Sequence, residues 1–169
     1  MQLTFDYILD EATSGAIIDP TERYRYSLWR CWHSGGPRVT FIMLNPSTAD
    51  EQKNDPTITR CINFAKQWGF GSLEVVNLFA YRATNPEELL SVEDPIGAYN
   101  DTYIIDALRR SQVAVLAWGT KGTLLNRNRQ VLNLVASFDL YALELSKDGH
   151  PKHPLYIRAD TKPFPYLHI

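Results

Sequence analysis

Polar residues that are able to take part in chemistry follow the apolar runs of this sequence. The run at 39–44 ends at Asn45, which precedes Pro46, and later runs end at Asn77 and Gly119. A carboxamide offers both a hydrogen-bond donor and an acceptor. Asn45 and Asn77 are therefore able to position a water molecule or to contact the polar edge of a ligand.

Ionisable candidates lie in two loops. Asp50 and Asp55 belong to the polar stretch that follows Asn45, and a carboxylate is a common general base. His150 and His153 lie in a proline-rich loop near the C-terminal end, and imidazole changes its charge near neutral pH. Each candidate has a structural alternative: an Asx-type turn for the amides, a helix N-cap for Asp55 and an exposed loop position for the histidines.

The elements that must position these residues alternate along the chain. Buried strands are predicted at 39–44, 72–78, 112–118 and 139–145, and helices at 57–68, 95–110 and 123–137. Parallel strands need crossover connections, which cover both faces of the sheet. The sequence therefore predicts a single α/β domain over residues 1–169, with a central four-stranded, mainly parallel sheet and helices on both faces. The carboxyl ends of such strands meet at one edge, where ligands bind.

An additional strand is predicted before this α/β unit. Residues 23–33 alternate between polar and apolar or aromatic types, which is typical of a half-exposed strand with its arginines facing solvent. The turn signals at 34–37 then predict an antiparallel hairpin with the 39–44 strand. Residues 1–22 are expected to form an irregular lead-in.

Composition excludes several classes of protein. The net charge is −2, and no apolar run approaches the roughly 18 residues of a membrane span. Two cysteines, Cys31 and Cys61, are too few for a disulfide framework or a four-cysteine metal site. Phosphate-binding loops, dinucleotide fingerprints and His/Cys metal spacings do not occur in the sequence. We therefore expect a reduced, cytoplasmic protein that uses no cofactor, no metal and no membrane, and the N-terminal stretch does not resemble a signal peptide.

Charge is distributed unevenly along the chain. Residues 109–169 contain nine basic and four acidic side chains, a local charge of +5. Such an excess permits a basic face for phosphates, and the alternative is an ordinary solvated surface. Arg60, Arg82 and Lys121 lie near predicted strand ends and are the candidates for phosphate binding.

The strand-end motifs, taken in order, resemble those of the uracil-DNA glycosylase superfamily. They are Asn45-Pro46-Ser47, Asn77, Leu116-Ala-Trp-Gly119 and the loop His150–Leu155. A closer resemblance connects residues 43–50, 76–84 and 153–156 with a bacterial and phage family catalogued as a domain of unknown function (number 1643). That family resemblance covers nearly the whole chain and brings no established activity.

The superfamily resemblance implies a three-layer α/β/α fold and hydrolysis of the N-glycosidic bond of uracil or another modified base. Such enzymes flip the base out of the DNA stack. Asn45 would position water, Asn77 would contact the base, and a histidine would stabilise the departing base. The last loop is one residue longer than the superfamily motif, so His150 and His153 both remain candidates, with His153 favoured. Asp50 or Asp55 would supply the general base.

The remaining roles concern the pocket wall and the partner. Pro46, Ser47 and Gly119 are expected to line the pocket, and Phe79 and Tyr81 are the candidates for stacking on the base. The expected partner is single- or double-stranded DNA. Two other functions stay open: a non-catalytic module that binds nucleic acid or nucleotides, and an N-glycosidase that acts on free nucleosides or nucleotides.

Overall fold

A computed structural model describes residues 14–167 of the chain. The strands in this range are β1 (Ser14–Ile18), β2 (Arg25–Cys31), β3 (Arg38–Met43), β4 (Ser72–Asn77), β5 (Val113–Leu116), β6 (Leu140–Ala142) and β7 (Phe164–Pro165). The α-helices are α1 (Pro56–Gln67), α2 (Asn100–Arg110) and α3 (Arg127–Leu134), and short 3₁₀ helices occupy Pro86–Leu90, Thr120–Asn126 and Pro154–Tyr156.

The described strands form one mixed sheet in the order β1-β2-β4-β3-β5-β6-β7. The four strands β4, β3, β5 and β6 are parallel neighbours, while β1, β2 and β7 join antiparallel at the two sides. The predicted α/β class is confirmed, and the sheet is wider than the predicted four strands. The predicted irregular lead-in at 1–22 is wrong over Ser14–Ile18, which form β1, and residues 1–13 lie outside the described range.

Alternating side chains of the central strands supply two apolar cores. Val39, Phe41 and Met43 of β3 pack in one cluster with Ile58 and other apolar residues of α1. Ile42 and Leu44 belong to the other cluster, together with apolar side chains of α2 and α3. This division follows from the two-residue period of a strand. Among the described α-helices, α1 covers the face of Val39, Phe41 and Met43, and α2 and α3 cover the other face. No helix in residues 14–167 is long and apolar enough to cross a membrane.

The predicted hairpin between β2 and β3 is wrong, because β4 lies between these two strands. β2 pairs antiparallel with β4, and β4 pairs parallel with β3. The connecting turn passes the start of β4, where the Gly71 carbonyl accepts hydrogen bonds from the Trp32 and His33 amides and the Gly71 amide donates to Pro37. The close approach of Gly71 to Gly36 leaves no room for a side chain. The alternation of polar and apolar residues predicts that β2 is a strand, but it does not predict which strand pairs with it.

The prediction that the arginines of β2 face solvent is also wrong. Arg25 and Arg30 are 2% and 6% exposed. The register between β1 and β2 shifts so that Ile17 opposes Ser27 and Ile18 opposes Arg25, leaving Tyr26 as an extra residue. Such a bulge changes the face to which the following side chains point. The side chain of Arg25 therefore lies on the opposite face from the one that strict alternation predicts.

Two predicted helices are shorter than expected, for local reasons. The helix predicted at 95–110 begins at Asn100, since Gly97 adopts a φ of +93° and the Asp94 side chain accepts a hydrogen bond from its amide. The helix predicted at 123–137 is divided because Leu125 and Asn126 have positive φ values of 53° and 57°. α3 accordingly begins at Arg127.

The crossing of the β2–β3 connection over β4 predicts unequal effects of two glycine substitutions. In Gly71→Ala, the new Cβ would overlap the His33 carbonyl oxygen and lie 2.9 Å from the Gly36 Cα. We expect a loss of about 1–3 kcal/mol in the free energy of unfolding, measured with urea. Gly35→Ala is the control, because its Cβ would have the His33 ring 4.0 Å away, and its expected change is within about 0.5 kcal/mol. Equal effects of the two substitutions would contradict this account.

Candidate active site

A cavity of about 730 Å³ lies beyond the carboxyl ends of β3, β4 and β5. Of the predicted site residues, its lining contains Asn45, Pro46, Ser47, Asp55, Asn77, Gly119, Lys121 and His153. They come from the end of each central strand, the N-terminus of α1 and the loop after β6. Ligands of open α/β sheets bind at this edge. The structure thus brings the predicted amides, one predicted carboxylate and one predicted histidine into a single concavity.

The side chain of Asn45 is oriented by two backbone carbonyls. Its Nδ2 donates to Ala83 at 2.7 Å and to Pro46 at 3.1 Å. Because both partners are acceptors, the nitrogen must be on their side of the amide, and Oδ1 remains as an acceptor. The arrangement suits an amide that holds a water molecule through its oxygen.

Asn77 occupies the end of β4 and is 1% exposed. Its Nδ2 and Oδ1 both lack a hydrogen-bond partner among the described residues, although the residue lines the cavity. Leaving a buried polar group unsatisfied costs about 1–3 kcal/mol. A complete unpaired carboxamide on a cavity wall is able to bind a group that offers both a donor and an acceptor.

His153 is the histidine that lines the cavity, whereas His150 does not line it. Its Nδ1 accepts a hydrogen bond from the Leu155 amide at 3.2 Å, at the start of the 3₁₀ helix Pro154–Tyr156. Burial lowers the pKa of His153 from its ordinary value of 6.5, and the charge of Asp55 opposes that change. At neutral pH the ring is therefore uncharged, and the hydrogen-bond pattern leaves the proton on Nε2 as a donor.

Asp55 is the carboxylate of the cavity lining, and it also caps α1. Its Oδ1 accepts from the Ile58 amide at 2.9 Å, and Pro56 occupies the first helical turn, as the sequence predicted. Asp50 does not line the cavity, and its Oδ1 accepts from the amides of Gln52 and Lys53. These backbone hydrogen bonds lower the pKa of Asp50. Of the two carboxylates predicted as bases, Asp55 lines the cavity and Asp50 does not.

Three arginines hold the loop between β3 and α1. Arg30 donates from Nη2 to the Asp50 carbonyl at 2.6 Å, Arg25 donates to the Ala49 carbonyl at 3.1 Å, and Arg82 donates to the Ser47 carbonyl at 3.2 Å. Irregular backbone lacks the partners that helices and sheets provide, so these donors satisfy its carbonyls. Arg82, predicted to bind phosphate, lies in this clamp and does not line the cavity.

Arg60 performs a similar task at the opposite wall. From α1 its guanidinium donates to the carbonyls of Pro154 and Ile157 and lies over the Phe64 ring. It thereby fixes the segment that follows His153 to α1. Arg60 does not line the cavity either.

The other predicted pocket residues lie elsewhere. Phe79 is fully buried in the core beside α2 and α3. Tyr81 contacts Tyr24 edge to face, with ring centroids 5.7 Å apart. Neither residue lines the cavity, where the exposed aromatic side chain is Tyr156, 81% exposed and close to the His153 ring.

Arg25 is the principal cavity residue that sequence reasoning missed. It lines the cavity and is almost fully buried, yet strand alternation assigned it to solvent. A bulge at Tyr26 leaves no reliable signal in one sequence. Lys152 also lines the cavity, where it pairs with Glu144, and its position beside His153 in the proline-rich loop was a usable signal.

The predicted basic face is smaller than the charge count implied. Arg110 is paired with the buried Glu74, and Arg127 is itself buried and paired with Asp101, so neither extends a surface groove. Lys121 and Lys152 are the residues of this C-terminal basic excess that reach the cavity. The described part of the chain contains no group of three or more His, Cys, Asp or Glu side chains arranged to hold a metal ion.

Comparison with known proteins identifies a family without a known role. The family model described as "Protein of unknown function (DUF1643)" matches residues 25–155, which include every residue of the cavity described above except Tyr156. Curated proteins and solved structures yield no match to this chain.

The unpaired amide of Asn77 predicts a contrast with Asn100, which is also fully buried. Asn100 donates from Nδ2 to the carbonyls of Asn77 and Leu78. Asn77→Leu should leave the free energy of unfolding unchanged or raise it, because the substitution removes an unsatisfied group. Asn100→Leu should lower it by about 1–3 kcal/mol, since it removes the hydrogen bonds that Asn100 donates to two buried carbonyls. Urea unfolding measures both, and a large loss in Asn77→Leu would indicate a structural role.

The lowered pKa of His153 predicts how stability depends on pH. Near pH 6.5 the unfolded chain binds a proton at this position more readily than the folded chain does. The histidine's contribution to stability is therefore complete above pH 6.5 and decreases as the pH falls from 6.5 through the lower folded pKa. Wild type should lose more unfolding free energy than His153→Gln between pH 7.5 and 5.5. An equal loss in both proteins would exclude this assignment.

Proposed function

We propose that this chain, which belongs to the DUF1643 family, is a uracil-DNA glycosylase-like hydrolase that releases uracil or another damaged or modified base from DNA. The observation that carries the proposal is the buried, unpartnered carboxamide of Asn77 on the wall of a cavity at the strand ends. A flipped nucleobase presents the adjacent donor and acceptor that such an amide requires. The helices that pack on both faces of the central strands agree with a three-layer arrangement of the same kind.

Base recognition in this proposal belongs to Asn77. A pyrimidine such as uracil carries a carbonyl oxygen next to a ring N–H, so one carboxamide is able to make two hydrogen bonds with it. Because the amide is buried at the end of β4, a base without this pattern leaves it unsatisfied. The discrimination that results is stronger than an apolar pocket provides.

Water activation belongs to Asn45 and Asp55. The Oδ1 of Asn45 accepts a hydrogen bond from the water, and the Asp55 carboxylate takes the proton as the oxygen attacks the sugar carbon. The new C–O bond replaces the N-glycosidic bond, whose electron pair leaves with the base. Both side chains line the same cavity.

Stabilisation of the leaving base belongs to His153. Its neutral ring keeps the Nε2–H donor because Nδ1 accepts from the Leu155 amide. A hydrogen bond from Nε2 to the base oxygen on which negative charge develops lowers the barrier, especially in a cavity poor in water. Tyr156, at the rim, provides the aromatic surface on which the extruded base stacks.

A second candidate function is hydrolysis of free nucleosides or nucleotides. It is favoured by one observation: the basic residues from 109 onward bring only Lys121 and Lys152 to the cavity, and Lys152 is paired with Glu144. A polymer bound through many phosphates needs a longer basic surface. The third possibility is binding without catalysis. The Asp55 carboxylate in the cavity lining favours catalysis over binding alone, because it is able to accept the proton of the water.

Base release should depend on each of the assigned groups. We expect Asn45→Ala and His153→Ala each to reduce it by about 100-fold or more, because each removes a contact with the reacting atoms. Asp55→Asn should cause a comparable loss with little change in unfolding free energy, since Asn caps a helix as well as Asp does. The measurement is abasic-site formation on oligonucleotides that contain a panel of modified bases, with the corresponding free nucleosides in parallel.

Asp50→Asn is the matched control, because this carboxylate accepts backbone hydrogen bonds away from the cavity. It should retain wild-type base release. Turnover that persists in Asn45→Ala and His153→Ala would eliminate their roles. Activity on the free compounds with none on oligonucleotides would replace the first function by the second.

A further inference from the structure

The guanidinium of Arg25 has an incomplete set of partners. Its Nη1 donates to the Ala49 carbonyl, and its buried Nε has no acceptor in residues 14–167. Within the same range, no acceptor is found for Nη2 either. The Nε and Nη2 hydrogens of an arginine are parallel donors that match two oxygens of one carboxylate or phosphate. The residue lines the cavity, so this edge is positioned for a ligand.

The charge of Arg25 is also uncompensated. No carboxylate lies within 4.0 Å of its nitrogens among the described residues, whereas the buried Arg127 pairs with Asp101. Burial lowers the pKa of Arg25 to about 10, partly opposed by Asp55, so the side chain still carries its charge at pH 7. An unpaired buried cation is destabilising. Lys121 is a further cation of the lining, whereas Lys152 is paired with Glu144.

Arg25 and Asn77 line the same cavity from two neighbouring strands. β2 and β4 are hydrogen-bonded neighbours, and the Arg25 amide donates to the Ala80 carbonyl just past the end of β4. The bulge at Tyr26 breaks the alternation of β2 between Arg25 and Leu28. One ligand that fills this cavity of about 730 Å³ is therefore able to contact both side chains.

We infer that Arg25 forms an oxyanion subsite in the same cavity as Asn77, and that the ligand of this cavity carries a two-oxygen anionic group. The inference rests on the proposed function for the part of the ligand that Asn77 contacts. The anion has two possible sources with the same chemistry, the phosphate of a nucleotide or a carboxylate attached to the base. Neutral nucleosides are accordingly the weaker ligands.

Calorimetric titration with three compounds tests the subsite. Uridine is neutral, uridine 5′-monophosphate carries the phosphate, and 5-carboxyuridine carries a carboxylate on the base. We expect at least one anionic compound to bind wild type 10-fold or more tightly than uridine, and the compound that does so identifies the source. In Arg25→Met that advantage should disappear while uridine binding is retained. Arg25→Lys keeps the positive charge but lacks the two parallel N–H donors, so it should retain part of the anion's affinity advantage over uridine. This variant replaces Arg25→Met as the test if the Met variant does not fold.

Arg109→Met is the matched control, because Arg109 is an exposed arginine of α2 that does not line the cavity. It should keep the full anion preference. Failure of both anionic compounds to bind more tightly than uridine, or an equal loss in Arg109→Met and Arg25→Met, would overturn the inference. Asn77→Ala separates the two proposals, because it should weaken the binding of all three compounds. Unchanged binding in this variant would reject base recognition by Asn77. A preference for the anionic compound that depends on Arg25 would still support the subsite.

Discussion

The parallel register of β3 between β4 and β5 is the constraint on which the cavity depends. Met43 lies opposite Asn77 in the ladder, and the Leu78 amide donates to the Met43 carbonyl. A shift of one residue would turn every side chain of β4 to the other face. Asn77 would then enter the core that packs against α2 and α3, and Asn45 would face an apolar wall. Apolar burial on both faces keeps the register in place.

Arginine side chains then fix the segments that regular hydrogen bonding does not reach. Arg30 and Arg82 hold the loop after Asn45, and Arg60 joins the segment after His153 to α1. Arginine suits this task because one planar group presents five donors in fixed directions. The segments that carry Asn45 and His153 are consequently held by side chains that do not line the cavity.

Sequence patterns located the strand ends and failed at the pairings between distant segments. Apolar runs and caps are local signals, so β3, β4 and α1 could be predicted within a residue or two. Asn45 and Asn77 were chosen from the strand ends, and His153 was chosen from the resemblance of its loop to the glycosylase motif; all three line the cavity. The insertion of β4 between β2 and β3 depends on contacts between Gly36 and Gly71, which lie 35 residues apart in the chain. The bulge at Tyr26 has a similar non-local origin, since it is defined by pairing with β1. Arg25 was missed for that reason.

Buried polar groups in this protein separate into those that the fold satisfies and those that it leaves open. Arg30 donates hydrogen bonds to backbone carbonyls and to the Asn54 side chain. Arg127 donates to the Leu78 carbonyl and forms an ion pair with Asp101. Asn77 and Arg25 instead keep unsatisfied atoms at the cavity. A sequence under selection for stability alone would replace them with apolar residues, which would fit the same space at lower cost. In the two proposals made above, one ligand completes both sets of hydrogen bonds, because it combines an amide-like edge with an anion.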